Sequence, residues 1–221
     1  MYALFKDRTE AGRLLAERLR GLASSDALVL ALPRGGVPVA FEVASAFGAE
    51  LDVLPVRKIG VPGHKELAMG AIASGDALYV ERDTMHAAHV SQAQFDAVLA
   101  QERIELERRE TLYRGNRPPA RIEGRTVLLV DDGIATGATM KAAAAAVRAH
   151  RPARVIAALP VAPAGIEGEF ADIVDVFVCV AQPSLFFSVG QHYEDFGETT
   201  DDDVRDLLHR AWSGNERGTP P

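Results

Sequence analysis

Apolar positions along the chain follow two rhythms. Compact apolar runs occur at Asp26–Leu32, Leu51–Val56, Val127–Val130, Arg154–Val161 and Asp172–Val180. Runs of that length, rich in Val, Leu and Ile, predict strands buried on both faces. Between them apolar residues recur every three or four positions, as Leu14, Leu15, Leu19 and Leu22 do within Asp7–Leu22. Val37–Phe47, Ser91–Arg114, Met140–Arg148 and Thr199–Trp212 read the same way, so each predicts a helix. Strands alternating with helices imply an α/β fold, a twisted, mainly parallel sheet flanked by helices. Met69–Val80 alternates weakly around Ser74-Gly75-Asp76 and predicts a hairpin.

Two strand ends run directly into turns suited to anions. Val127–Val130 leads to Asp131 and Asp132, then to the small-residue turn Gly133–Thr139 and an alanine-rich helix. Backbone N–H groups at a helix start carry partial positive charge and suit a phosphate. Gly137 permits close approach, and the hydroxyls of Thr136 and Thr139 add neutral donors. The two carboxylates would repel a phosphate but accept hydrogen bonds from vicinal hydroxyls. A phosphate a few atoms from a diol describes ribose 5-phosphate. The alternative is an ordinary strand–turn–helix corner whose aspartates cap the helix. The second corner follows Asp26–Leu32, where Pro33-Arg34-Gly35-Gly36 supplies a cation and two glycines before the Val37 helix.

VLLVDDGIATGAT resembles the motif by which type I phosphoribosyltransferases bind 5-phosphoribosyl 1-pyrophosphate (PRPP). The resemblance implies that Asp131 and Asp132 hold the ribose hydroxyls, and that Ala135, Thr136, Gly137, Ala138 and Thr139 hold the 5-phosphate. It implies a pyrophosphate loop at Arg34, Gly35 and Gly36, with a cis peptide expected at Pro33–Arg34. VLPVRKIGVPG is similar to the VPVRKPG segment of adenine phosphoribosyltransferases, which adds Arg57 and Lys58 to the pyrophosphate side. In this family the loop after that strand, here within Gly60–Ala73, closes over PRPP; Glu66 is either a substrate contact or a surface residue. QPSLFFSVGQHYEDF, residues 182–196, resembles the F-V-V-G segment of hypoxanthine-guanine phosphoribosyltransferases. That puts Phe187 on the acceptor as a stacking ring, Ser188 at its edge, and Tyr193 nearby. The competing reading makes Phe186 and Phe187 core residues. Glu194 aligns with an acidic metal ligand, and Asp195 is adjacent; otherwise magnesium is held through PRPP. A small hood built from 182–196, and N-terminal residues, is expected above the sheet.

The base end departs from the 6-oxopurine enzymes. Ala135 stands where they carry an aspartate, and Ala162 where they carry a lysine. Methyl groups in place of a charged acceptor and donor remove the contacts that select a 6-oxopurine. The resemblance therefore implies a Mg2+-dependent pentosyltransferase that uses PRPP and an unnamed small-molecule nitrogen acceptor. The other reading is a PRPP-sensing regulator of the same fold. A hydrolase is disfavoured because no G-x-S-x-G elbow occurs.

Composition narrows the setting. A chain of 221 residues, 48% hydrophobic and 25% charged, fits one phosphoribosyltransferase domain over 1–212, with a helical insertion at 91–114 and a loose tail at 213–221. Charges break the opening apolar residues every few positions, which reads as an amphipathic helix rather than a signal peptide. The single Cys179 rules out a disulfide framework, and no run is long enough to cross a membrane. A net charge of −7 argues against nucleic acid as the main partner. The expectation is a cytoplasmic protein, with a homo-oligomer open.

Overall fold

The computed structural model describes residues 3–75 and 77–216, leaving the side chains of Glu66 and 214–216 outside the description. In chain order the elements are α1 (Arg8–Arg18), β1 (Leu28–Ala31), α2 (Gly36–Phe47), β2 (Glu50–Val53), β3 (Val56–Val61), β4 (His64–Ala73) and β5 (Ala77–Val80). They continue as α3 (Arg82–Ala87), α4 (Gln92–Arg114), β6 (Thr126–Val130), α5 (Ala138–Ala149), β7 (Arg154–Val161), β8 (Val176–Ala181) and α6 (Asp201–Glu216).

Five strands form a wholly parallel sheet in the order β2-β1-β6-β7-β8. Alternate residues of β1 face opposite layers, as a strand requires. Leu28 and Leu30 meet α5 through Met140, Ala143, Ala144 and Val147, while Val29 and Ala31 meet α2 through Val39 and Val43. Val39 and Val43 are fully buried. Each such burial contributes about 1.5–3 kcal/mol, which outweighs the ~0.7 kcal/mol or less that a β-branched residue costs a helix. Packing therefore decides that Val37–Phe47 is helical.

Register positions the site. Ala31 lies opposite both Val53 and Val130, and Val130 lies opposite Ala158. The ends of β1, β2 and β6 are level, and the Leu32 N–H donates to the Val130 carbonyl at 2.8 Å. The turns after β1 and β6 consequently leave the sheet side by side.

A second, antiparallel sheet, β3-β4-β5, packs with α3 and α4 around Ile59, Met69, Ile72, Phe95 and Leu106. Here the structure corrects the sequence reading. Leu51–Val56 is not one strand. Pro55 has no N–H for a ladder, so β2 stops at Val53 and β3 begins at Val56. Arg57 and Lys58 consequently lie within β3 rather than at the end of a parallel strand. The expected loop over Gly60–Ala73 is mostly ladder, with β3 and β4 joined at Pro62-Gly63 and the register shifted around Gly60. The Met69–Val80 hairpin is present as β4–β5, with Asp76 of its turn outside the described residues. The helix α3 was not anticipated; it buries no residue and so leaves no apolar period to read.

Helix α4 begins where expected, capped by Ser91 and Gln94 in a reciprocal capping box. Its far end is tied to β2. Arg114 Nε lies 3.0 Å from Asp52 Oδ1, Arg114 also donates to the Val53 carbonyl, and the Ala120 N–H donates to Asp52 Oδ2 at 2.9 Å. The strand expected at Asp172–Val180 starts only at Val176, because Ile173 and Val174 turn back to donate to the Phe170 carbonyl. Likewise α6 runs past Trp212 to Glu216, so part of the expected tail is helix; residues 217–221 lie outside the description. The Trp212 indole N–H donates to the Leu51 carbonyl at 2.9 Å. At the other end, residues 4–6 pair with 192–195. The N–H groups of Leu4 and Phe5 donate to the His192 carbonyl, and those of Glu194 and Asp195 donate to the Phe5 and Lys6 carbonyls.

Candidate active site

The turn after β6 has the form a phosphate requires. Gly137 sits at the start of α5 with φ +72°, a conformation that favours glycine. A Cβ at this position would come 2.7 Å from Phe170 Cζ, so the ring beneath also demands a glycine. Among the described residues, no protein acceptor meets the N–H groups of residues 135–139, and the Thr136 and Thr139 hydroxyls are unengaged. Ala135 and Thr136 are exposed, and Ala138 and Thr139 partly so. A row of outward donors at a helix start is an anion site by its own chemistry.

The acidic pair lies immediately upstream and is partly buried. Asp131 Oδ1 accepts from the Asp132 N–H at 2.9 Å, and Asp132 Oδ2 accepts from Arg8 Nε at 2.8 Å. One oxygen of each carboxylate remains uncommitted among the described residues, which matches two neighbouring hydroxyls. Burial raises the Asp131 carboxyl well above the usual carboxylate range, and the Asp132 charge adds to that rise. Burial also raises Asp132, while Arg8 opposes the shift. The corner aspartates are not helix caps: α5 has no side-chain cap bond.

The turn after β1 abuts this pair. The Pro33–Arg34 peptide is cis, as expected. Any Cβ on Gly35 would fall 2.0 Å from Asp132 Oδ2, and one on Gly36 would fall 2.7 Å from the Val130 carbonyl, so both positions require glycine. Arg34 pairs with Glu198, at 2.6 Å, with Asp201 at 4.0 Å. Arg57 reaches Glu102 of α4 at 2.7 Å. A cavity of about 510 Å³ opens between these parts, lined by Pro33, Arg57, Lys58, Lys65, Asp131 and Thr139 among others. Residues from β3, the 131–139 turn and the Pro33 turn therefore share one hollow. The β3–β4 hairpin forms its outer wall through Val61, Pro62 and Gly63.

Not every expected residue converges there. Glu66 belongs to β4, and its side chain lies outside the description. Phe187 is 81% exposed, which overturns the reading of it as core, and Ser188 is exposed beside it. Neither lines the cavity. Phe186 does pack, against His192. Tyr193 is a correction: it is buried against Phe5 and Phe196, and its hydroxyl donates to the Asp132 carbonyl at 2.5 Å. It supports the acidic pair from below and offers no face to an acceptor. Glu194 and Asp195 are exposed, and Asp195 accepts from the Gly197 N–H. Burial pushes the Cys179 thiol up to about 11, which leaves it inert as a nucleophile.

Sequence reasoning missed Arg8, Glu102, Glu198 and Lys65. Arg8 stands in an ordinary amphipathic helix, and its partner is 124 residues away. Glu102 belongs to a run of surface-like charge on α4. Only Lys65 carried a local hint, as a cation in the segment expected to close over the ligand.

Comparison with known proteins identifies the family. A family model described as "Phosphoribosyl transferase domain" matches residues 6–194. "Putative phosphoribosyl transferase Rv0571c" of Mycobacterium tuberculosis (strain ATCC 25618 / H37Rv) is 49% identical over 208 residues. The match covers 94% of this chain and 47% of that protein, so the chain spans about half the length of the curated relatives it matches. The crystal structure of TT1426 from Thermus thermophilus superposes with a TM-score of 0.80 at 44% identity, covering 93% of this chain and 98% of that one.

Proposed function

The chain belongs to the phosphoribosyl transferase domain family, and from that premise we propose that it transfers 5-phosphoribosyl from PRPP to a nitrogen nucleophile and releases pyrophosphate. One observation carries the reading. Unengaged N–H groups at 135–139 stand directly beyond two carboxylates that each keep one oxygen uncommitted. That order, donors for an anion beside two acceptors, suits a phosphate and a diol on one sugar.

The geometry supports the following roles. The 135–139 donors hold the 5-phosphate, and Asp131 and Asp132 accept from the ribose hydroxyls. Pyrophosphate then extends toward the cavity wall formed by Arg57 and Lys58, with the Arg34-Gly35-Gly36 turn beside it. As the bond to pyrophosphate loosens, the sugar gains positive character. The two partly buried carboxylates offset that charge, and the cationic wall stabilises the leaving group. The β3–β4 hairpin, closing over the hollow, would exclude water. The exposed Phe187 is available to stack on a planar acceptor carried in by the 182–196 segment, which would act as a hood.

Among the described residues no cluster of three or more His, Cys, Asp or Glu side chains could hold a metal alone. The donor set fits Mg2+ bound mainly through substrate oxygens, the usual manner for this ion. The exposed Glu194 and Asp195 would contribute any protein oxygens. When bound, the ion would neutralise pyrophosphate charge. No helix among the described residues is long and apolar enough to cross a membrane. The acidic balance supports the reading of a protein acting on small molecules rather than nucleic acid.

The test is PRPP–Mg turnover against a panel of nitrogen acceptors, read by pyrophosphate release and by mass of the ribosylated product. A second reading, a PRPP sensor without turnover, is favoured by one feature: both pyrophosphate-side arginines are already paired with internal carboxylates. Tight PRPP binding with no product from any acceptor would select the sensor.

A further inference from the structure

We propose that Arg8, in the first turn of α1, is a positioning residue for the sugar: it fixes the Asp132 carboxylate by one oxygen and latches the 192–198 segment beside it. The inference rests on the phosphoribosyl reading above and deepens it.

Arg8 makes three directed contacts. Its Nε lies 2.8 Å from Asp132 Oδ2, its Nη1 donates to the Gly197 carbonyl at 2.7 Å, and its guanidinium sits 3.9 Å from the centre of the Phe196 ring. The side chains of Arg8 and Asp132 are each only 13% exposed, so this is not a solvated surface pair. A planar fork can hold a carboxylate with one arm and a carbonyl with another; an ammonium on a flexible stem cannot fix both. The location also argues for a purpose. A cation in the first turn of a helix opposes the helix dipole, and Asp7 already caps α1 through the Glu10 N–H. Nothing in the local sequence needs an arginine there.

The same latch grips Asp132 twice. Tyr193 donates to its backbone carbonyl, and residues 4–6 pair with 192–195 on either side of that tyrosine. Arg8 holds the carboxylate itself. With the carbonyl and one carboxylate oxygen pinned, the other oxygen has a fixed direction. The pair is thus set for two hydroxyls before any ligand arrives, which is how a positioned group gains affinity. Gly35 approaches the same pair closely: a Cβ there would fall 2.0 Å from Asp132 Oδ2 and 3.3 Å from Arg8 Nε.

The experiment compares wild type, Arg8→Gln and Arg8→Lys by calorimetry with three probes: PRPP–Mg, ribose 5-phosphate and pyrophosphate–Mg. Loss of a charge-assisted bond that orients the carboxylate should weaken both sugar phosphates by about tenfold or more in Arg8→Gln, with Arg8→Lys between it and wild type. Pyrophosphate, which does not reach the diol carboxylates, should bind within about twofold of wild type. Unchanged sugar-phosphate affinity would overturn the proposal. So would equal weakening toward all three probes, which marks a purely structural role. If Arg8→Gln does not fold, Arg8→Lys decides alone by the same ratio. Failure of the wild-type protein to bind PRPP or ribose 5-phosphate would instead remove the phosphoribosyl reading, and the positioning role with it.

Discussion

The two anion corners of this site differ in their resting state. At the 135–139 turn the donors face outward with no protein partner among the described residues. On the pyrophosphate side both arginines are occupied, Arg34 by Glu198 and Arg57 by Glu102. On the proposed function, the first corner would receive an anion directly. The second would exchange an internal carboxylate for an external phosphate, so its apparent affinity would be the difference between two anions.

The sharpest way to break this comparison is to remove the carboxylates next to the open corner. Asp131→Asn with Asp132→Asn deletes two charge-assisted bonds of about 1.5–3 kcal/mol each, so PRPP affinity should fall roughly a hundredfold or more. Stability should move the other way. Both carboxyls are raised by burial, so each favours the fold most below its unfolded value of about 3.9. That contribution is lost as pH rises through the raised folded value. At neutral pH Asp131→Asn alone should melt no lower than wild type, as scanning calorimetry would show, whereas Asp132→Asn also strips Arg8 of its counter-charge. By the same sign, wild-type PRPP affinity should decline on acidification at a pH above that at which an exposed aspartate titrates.

Next in size is Gly137→Val. It forces a β-branched residue to φ +72° and drives its Cβ into Phe170. It should cost about 1–3 kcal/mol or more in unfolding free energy by denaturant titration and abolish ribose 5-phosphate binding while leaving pyrophosphate binding measurable.

The exchange side should respond with a gain. Glu102→Gln and Glu198→Gln each free an arginine, and pyrophosphate–Mg should bind more tightly by calorimetry. Glu102 is 22% exposed and Glu198 72%, so solvent screens the second pair more. We expect a gain of several-fold, about 0.5–1 kcal/mol, for Glu102→Gln and less for Glu198→Gln. Equal affinities in all three proteins would show that the two corners do not differ. The smallest effect belongs to Tyr193→Phe, which removes one hydroxyl bond to the Asp132 carbonyl and should weaken PRPP binding by about 1 kcal/mol or less.

The same division marks what was legible in the sequence. The 131–139 turn could be read because all its parts are consecutive: a buried strand, two acids, small residues and a helix start. The Pro33–Gly36 turn was readable for the same reason. The strand break at Pro55 was not, because Leu51–Val56 shows one apolar run and only the proline's missing N–H divides it. Arg8, Glu102 and Glu198 were invisible for a different reason. Each is an ordinary surface charge in its own segment, and its meaning arises only when the chain brings a partner from 124, 45 or 164 positions away. Tyr193 erred in the opposite direction: local similarity offered it as a ligand contact, and burial by Phe5 from the far end of the chain made it a support.

The most direct measurement is a crystal structure of the protein with PRPP–Mg. The account requires the ribose hydroxyls within hydrogen-bond distance of Asp131 and Asp132, the 5-phosphate on the N–H groups of 135–139, and Arg57 released from Glu102 toward the pyrophosphate. A 5-phosphate seated at Arg34–Gly36, or a sugar with no contact to either aspartate, would contradict it.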